Sequence, residues 1–332
     1  MPVYNLCLLG FGNVNRTLAR LLVEKSRELQ RRGIEWRITG VASRRLGWIC
    51  DSSGIDPERF PGALVPTASN VRDWLRAARA EVLFEATSLN PTTGQPATDH
   101  IRAALELGAH VITANKGPVV HAYEELRDLA EKNGRRFLFE STVMDGVPIF
   151  SMFREGLPAL QLRGFHGILN STTNVILSGI EQGLSFDESL KRAQEIGVAE
   201  TDASHDIDGW DATLKTAALI RVLMGLPIKS DQIERRGIRA LTAQEVRAAR
   251  AAGTPYKLVC RAHITEGRVT AWVQPEQVPL SDPMAAVSGT SSIICFETDI
   301  FPELVITENN PGLEATAYGM FADLVRAVGT KL

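Results

Sequence analysis

Apolar positions along the first 150 residues alternate between two periods. Asn5-Leu6-Cys7-Leu8-Leu9 is a short apolar run ending in glycine. Behind it, Val14, Leu18, Leu21, Leu22 and Leu29 fall on one helical face, with Arg16, Arg20, Glu24 and Arg27 elsewhere. Trp36 to Ala42 predicts a second strand, Val71 to Ala80 a helix, and Glu81 to Glu85 a third strand. Ile101 to Leu107 predicts a helix ended by Gly108, Val111 to Thr113 a fourth strand, Tyr123 to Lys132 a helix, and Arg136 to Phe139 a fifth strand. Strands alternating with helices of about 10 residues imply parallel pairing through right-handed crossovers, which is a doubly wound α/β sheet over residues 1–148.

After Pro148 the pattern changes. A strand from Leu160 to Ile168 leads into helices over Thr173 to Glu181, Phe186 to Glu195 and Asp211 to Met224. Strand patterns follow at Lys257 to Ile264, Val269 to Val273 and Ile293 to Glu297, and Glu314 to Val328 is helical. Strands grouped apart from helices predict an α+β domain over residues 149–310. Residues 311–332 are expected to form a C-terminal helix that packs back on the first domain. The chain shows no internal repeat and no low-complexity linker.

Composition narrows the classes. The 332 residues suffice for two cores, and 44% hydrophobic with 23% charged residues argues against disorder. A net charge of -3 gives no reason to expect nucleic acid or an anionic membrane as partner. No apolar run reaches bilayer length, and Met1-Pro2-Val3-Tyr4-Asn5 lacks the layout of a secretory signal. Cys7, Cys50, Cys260 and Cys295 are widely spread with no CxxC pair, so they read as small hydrophobes in a reducing compartment. A cytoplasmic enzyme is expected.

Gly10-Phe11-Gly12-Asn13-Val14-Asn15 follows the first strand and opens the first helix. Two glycines permit a tight turn and let backbone N–H groups approach a pyrophosphate, which a helix N-terminus favours. Inside this α/β pattern, the turn predicts a Rossmann-type dinucleotide site. Asn15 stands where the fingerprint has a third glycine or alanine, so its side chain must be accommodated against the sheet. The second strand ends Ala42-Ser43-Arg44-Arg45, with no carboxylate to bond a ribose hydroxyl. Arginine can fork onto a 2′-phosphate, which favours NADP, with NAD as the alternative; solvated loop arginines would read the same way.

Three further segments carry candidate chemistry. Lys116 lies past the fourth strand, where open α/β sheets bind ligands, bracketed by loop-forming Asn115, Gly117 and Pro118. Glu140-Ser141-Thr142-Val143-Met144-Asp145-Gly146-Val147-Pro148 spans the handover between domains. Gly197 to Lys215 packs five carboxylates, a histidine and a lysine into a short loop and helix start. Asp211 and Lys215 are i,i+4 neighbours on one helix face; they read as an exposed pair or as a buried acid/base couple, and Asp208 as an N-cap. The apolar continuation Ala217, Ala218, Leu219, Val222 and Leu223 favours a largely buried helix. Desolvation would lower the lysine pKa while the aspartate pulls the other way. The acids lack a histidine array for metal catalysis.

These segments, with Gly167-Ile168-Leu169-Asn170-Ser171-Thr172-Thr173-Asn174, resemble the core motifs of homoserine dehydrogenases from the first glycine turn to about Val325. The resemblance implies reversible NAD(P)H-linked reduction of L-aspartate 4-semialdehyde to L-homoserine, in threonine and methionine biosynthesis. It implies that Lys116 and Lys215 flank the reacting carbonyl, with Lys215 the proton donor and Asp211 orienting it. Glu200 and Asp206 would hold the substrate's amino and hydroxyl ends, with Thr172 and Ser171 beside it. The cofactor set would be Gly10, Phe11, Gly12, Asn13, Val14, Ser43, Arg44, Arg45, Thr87 and Gly312. Backbone carbonyls of Glu140, Val143, Asp145 and Val147 would hold a monovalent cation such as sodium. A homodimer through the second domain is also implied. So is a short form without C-terminal regulatory domain or fused aspartate kinase.

The chain departs from the family pattern at Asn15, Asp145, Ser171 and His205, and Asn309 to Thr316 matches the glycine-rich cofactor-side loop loosely. The departures motivate two alternatives: a dehydrogenase of another hydroxy-amino acid or small alcohol, and a cofactor-binding sensor without activity.

Overall fold

A computed structural model describes residues 3–57 and 66–329; Met1 and Pro2, the start of the segment scanned for a secretory signal, lie outside the described residues. The chain forms two compact units, Met1–Ser151 with Gly312–Leu332, and Met152–Pro311.

The first unit runs β1 (Val3–Leu9), α1 (Asn13–Glu24), α2 (Ser26–Arg31), β2 (Glu35–Ser43), β3 (Gly47–Cys50), α3 (Val71–Ala77), β4 (Val82–Glu85), α4 (Ala97–Glu106), β5 (His110–Thr113), α5 (Lys116–Lys132), β6 (Phe137–Leu138) and α6 (Ile149–Ser151). Its sheet has the order β3-β2-β1-β4-β5-β6. Five strands are parallel, and their sequences are near-continuous apolar runs because helices cover both faces. The sixth corrects the all-parallel expectation: β3 pairs antiparallel with β2, Ser43 opposite Gly47. Gly47-Trp48-Ile49-Cys50 is too short to show a period by itself.

The second unit runs β7 (Leu162–Ile168), α7 (Ser171–Glu181), α8 (Phe186–Glu195), α9 (Ser204–Ile207), α10 (Trp210–Leu223), β8 (Glu234–Arg235), α11 (Ala243–Ala251), β9 (Tyr256–Thr265), β10 (Arg268–Gln277), β11 (Ser292–Thr298) and β12 (Leu304–Glu308). Its sheet, ordered β12-β11-β7-β9-β10-β8, is antiparallel except for the β8–β10 pair. Four elements were not anticipated: the short α9 and β8, and α11 and β12. The helix α11 starts at a capping box in which Thr242 and Glu245 each bond the other's backbone, and its small, arginine-rich face hides the apolar stripe. The strand β12 alternates half-buried and exposed positions at the sheet edge, so its apolar signal is weak.

The closing helix α12 (Leu313–Val328) belongs to the first unit. Its Ala317, Met320, Phe321 and Leu324 enter the core of that unit with Leu6, Leu18, Leu22 and Phe84. The spacing 317, 320, 321, 324 is one helical face, and each large side chain buried there contributes about 1.5–3 kcal/mol.

Candidate active site

The glycine turn has the shape a dinucleotide needs. Gly10 has φ 81°, and a Cβ there would lie 2.4 Å from the Ala86 carbonyl oxygen, so only glycine fits. A Cβ on Gly12 would meet nothing within 4 Å, which leaves open space at the start of α1, where Asn13 is exposed and Val14 half-buried. The first N–H groups of a helix have no intrahelical acceptor and are suited to phosphate oxygens. The amides of Gly10 and Phe11 donate to the Ala42 carbonyl at 2.9 and 3.2 Å, tying the turn to the end of β2. Asn15 is fully buried, and its Nδ2 donates to the carbonyls of Leu9 at 2.9 Å and Gly10 at 3.2 Å. The departure at the third position therefore clamps the turn from below.

Arg44 and Arg45 are exposed in the β2–β3 turn, where the Ser43 hydroxyl accepts the Leu46 N–H at 3.1 Å. Lys116 is the first residue of α5, which corrects its expected place in a loop: Asn115 caps the helix by accepting the Gly117 N–H at 3.0 Å. Gly117 and Pro118 fit because a first turn tolerates both a missing N–H and a fixed φ. A non-helical Ala122 breaks α5 just before Tyr123, the residue where the apolar pattern begins. A cation at a helix N-terminus opposes the helix dipole, so stability does not explain Lys116.

Beneath this turn lies a residue the sequence pattern did not single out. Glu85, at the end of β4, is fully buried. Its carboxylate accepts the Thr87 N–H at 2.8 Å, the Thr87 hydroxyl, and the Thr113 hydroxyl at 2.7 Å. Thr113 in turn accepts the Asn115 N–H at 2.9 Å, and Asn115 donates to the Thr87 carbonyl at 3.3 Å. Burial raises the Glu85 pKa against these hydrogen bonds. Glu85 thus ties Thr87 to the segment carrying Lys116. Its only sequence signal is a carboxylate ending an apolar strand.

The segment before Pro148 is tied to α12 in the same unit. The Glu140 carboxylate accepts the N–H groups of Phe150 at 2.6 Å and Ser151 at 3.0 Å, and Asp323 accepts the Glu140 N–H at 2.9 Å. Arg326 bridges both acids. Burial and the nearby Glu140 push the Asp323 pKa up to about 7. Met144 and Asp145 are both left-handed, at φ 52° and 51°, and Asp145 accepts the Thr316 hydroxyl at 2.6 Å. Val143 is fully buried, and the Val147 carbonyl accepts the Ile149 N–H at 2.8 Å. Gly312 is the N-cap of α12.

In the second unit, α7, α9 and α10 build one polar network. Lys215 Nζ lies 2.9 Å from Asp211 Oδ2 and donates to the Leu169 carbonyl at 2.6 Å; the side chains of the pair are only 17% and 16% exposed, so the solvated-pair alternative does not hold. Asn170 caps α7 by accepting the Thr173 N–H, while its Nδ2 donates to Asp206 Oδ1 at 2.7 Å and Asp211 Oδ2 at 2.9 Å. The Thr172 hydroxyl lies 3.0 Å from Asp206 Oδ2 and 3.2 Å from the Val198 carbonyl. Burial, then the charge of Asp211, raises the Asp206 pKa. Ser171 donates to the Thr290 carbonyl at 3.0 Å. Glu200 and His205 are exposed. Asp208 is not the N-cap of α10, which is the left-handed Gly209; it pairs instead with Arg239 at 2.8 Å. The unit therefore joins Lys215, Asp211, Asp206 and Thr172 through Asn170, to which no role had been assigned.

A glycine turn shaped for a dinucleotide and an ammonium held by a half-buried carboxylate suit hydride transfer coupled to proton transfer, and the chain is an NAD(P)-dependent oxidoreductase acting on a CH–OH group. Residues 10–140 match the family described as "Homoserine dehydrogenase, NAD binding domain", and residues 148–325 match "Homoserine dehydrogenase". The chain belongs to the homoserine dehydrogenase family. An NAD(+)-dependent homoserine dehydrogenase of Pseudomonas canavaninivorans is 33% identical over 98% of this chain and 96% of its own length. The crystal structure of a putative homoserine dehydrogenase from Archaeoglobus fulgidus superposes with TM-score 0.87 at 30% identity, covering 98% of this chain and 100% of that one. A hyperthermophilic archaeal homoserine dehydrogenase mutant in complex with NADPH superposes with TM-score 0.82 at 27% identity, over 98% of both chains.

Proposed function

We propose that the chain interconverts L-aspartate 4-semialdehyde and L-homoserine with NAD(P)(H), a step toward threonine and methionine. The observation that carries this is the Lys215–Asp211 pair set in the Asn170 network. Bound nicotinamide supplies or accepts the hydride. Lys215 gives a proton from Nζ to the carbonyl oxygen as it becomes an alkoxide, and takes it back in the oxidation. Asp211 holds the ammonium in place. On the resemblance, Glu200 and Asp206 would hold the amino and hydroxyl ends of the substrate with Thr172 and Ser171 beside it, and Lys116 would add a second positive charge for the oxygen.

Gly10, Phe11, Gly12, Asn13 and Val14 would hold the cofactor, with Thr87 and Gly312 contributing. Arg44 and Arg45 favour NADP, and the archaeal structure holds NADPH; the Pseudomonas relative is NAD(+)-dependent, so NAD is the competing choice. A sodium ion on the carbonyls of Glu140, Val143, Asp145 and Val147 is proposed on the resemblance, supported by the two left-handed residues that turn this backbone. Exposed Leu280, Ile300, Phe301 and Val305 on the second unit support a homodimer through it. No helix among the described residues is long and apolar enough to cross a membrane, and the four cysteines are free thiols, which supports a cytoplasmic enzyme.

The alternative of a different alcohol rested on Ser171, His205 and Asp145. Ser171 and Asp145 are hydrogen-bonded to the protein itself, and His205 is exposed, so homoserine is the favoured substrate. A panel of small hydroxy-amino acids tests this: homoserine should have the highest kcat/KM, and a higher value for another alcohol would reassign the substrate.

A further inference from the structure

Away from the dehydrogenase network, the second sheet assembles a different set of donors. Antiparallel pairing sets Cys295 of β11 opposite His166 of β7 on one side and Val305 of β12 on the other. Glu303 immediately precedes β12, two residues before Val305. One donor atom from each of His166, Cys295 and Glu303 lies within 4.8 Å of the other two.

Burial is graded across the three: Cys295 is buried, His166 half-buried and Glu303 exposed. Cys295 belongs to a buried apolar cluster with Ile168, Met284, Val287 and Ile293. His166 and Glu303 also line a cavity of about 620 Å³, together with Arg261 and Glu276 among others. Glu276 holds the Arg261 guanidinium at 3.0 Å, which offsets the nearest positive charge.

We propose that His166, Cys295 and Glu303 bind a divalent transition metal, zinc being the best match. One thiolate sulfur, one imidazole nitrogen and one carboxylate oxygen run from soft to hard, a mixture that borderline zinc accepts in a tetrahedron. On binding, the Cys295 S–H bond breaks, the sulfur bonds the metal, and the proton goes to solvent. The metal would staple β7, β11 and the entry to edge strand β12. None of the three residues belongs to the proposed catalytic set, so the site stands or falls independently of the dehydrogenase assignment.

The test is cobalt(II) titration of the full chain after chelator treatment and reduction. One cobalt per chain should produce the near-ultraviolet thiolate charge-transfer band and the visible bands of a tetrahedral site, and zinc should displace them. Cys295→Ser, with unchanged circular dichroism, should lose the charge-transfer band. Glu303→Gln, a surface change compatible with the fold, should weaken cobalt binding. Wild-type chain without the thiolate band would overturn the proposal. So would a band that survives in Cys295→Ser and vanishes in Cys50→Ser, or a cobalt affinity unchanged by Glu303→Gln.

Discussion

Asp206 and Asp211 share one amide group: Asn170 Nδ2 donates to Asp206 Oδ1 at 2.7 Å and to Asp211 Oδ2 at 2.9 Å. The same Asp211 oxygen lies 2.9 Å from Lys215 Nζ. Burial, and then the repulsion between these two partly buried carboxylates, raises the Asp206 pKa. Asn170 offsets the repulsion and fixes where Asp211 holds the lysine.

Replacing Asn170 with alanine should therefore act through Lys215. Misplacing a catalytic group by an ångström can lower kcat about a hundredfold, and the lost charged hydrogen bonds should cost about 1.5–3 kcal/mol of stability. Steady-state kinetics beside urea unfolding measures both. An unchanged kcat in a destabilised Asn170→Ala protein would leave Asn170 a purely structural role.

Glu85→Ala should loosen the Thr87 and Lys116 segments together. It strips acceptors from Thr87 and Thr113, at about 1–3 kcal/mol for each buried donor left unpaired. Glu85→Gln keeps an acceptor oxygen and should be milder. Thermal melts and NADPH fluorescence titration should rank wild type, Gln, then Ala in both stability and affinity; an Ala variant equal to wild type would remove the positioning role.

Asp323 gives a pH dependence of defined sign. Its pKa rises from 3.8 to about 7 in the folded chain, so the native state keeps a proton that the unfolded chain releases. This contribution to stability is complete below 3.8 and is lost as pH rises through about 7, with Glu140 and Arg326 as the charged neighbours. Urea midpoints measured across this window should fall with rising pH, and less steeply in Asp323→Asn. Identical slopes would contradict the assignment.

Arg44→Ser combined with Arg45→Ser should raise the KM for NADP by about tenfold, the loss of one charged hydrogen bond, while leaving that for NAD nearly unchanged. Equal changes for both cofactors would mean that these arginines are simply solvated.

The sequence revealed those parts of the fold whose apolar period is long or continuous. The buried strands β1 and β4 and the helix α8 could be read to within a residue or two, and the i,i+4 spacing of Asp211 and Lys215 placed them on one face. What escaped was set by tertiary context. Strand β3 is too short to carry a period, and Lys116 sits in a turn of helix whose glycine and proline imitate a loop. Glu85 and Asn170 act through partners 28 and 41 residues away, which no local pattern encodes.

The central claim is that Lys215 transfers the proton in a homoserine–semialdehyde reaction. The most direct measurement is L-homoserine oxidation by wild type and Lys215→Ala, with NAD and NADP in parallel and cofactor affinity determined separately. Wild type should turn over, and the variant should lose about 10²–10⁴ in kcat with cofactor binding intact. A wild-type protein inert toward homoserine with both cofactors, or a variant as fast as wild type, would contradict the account.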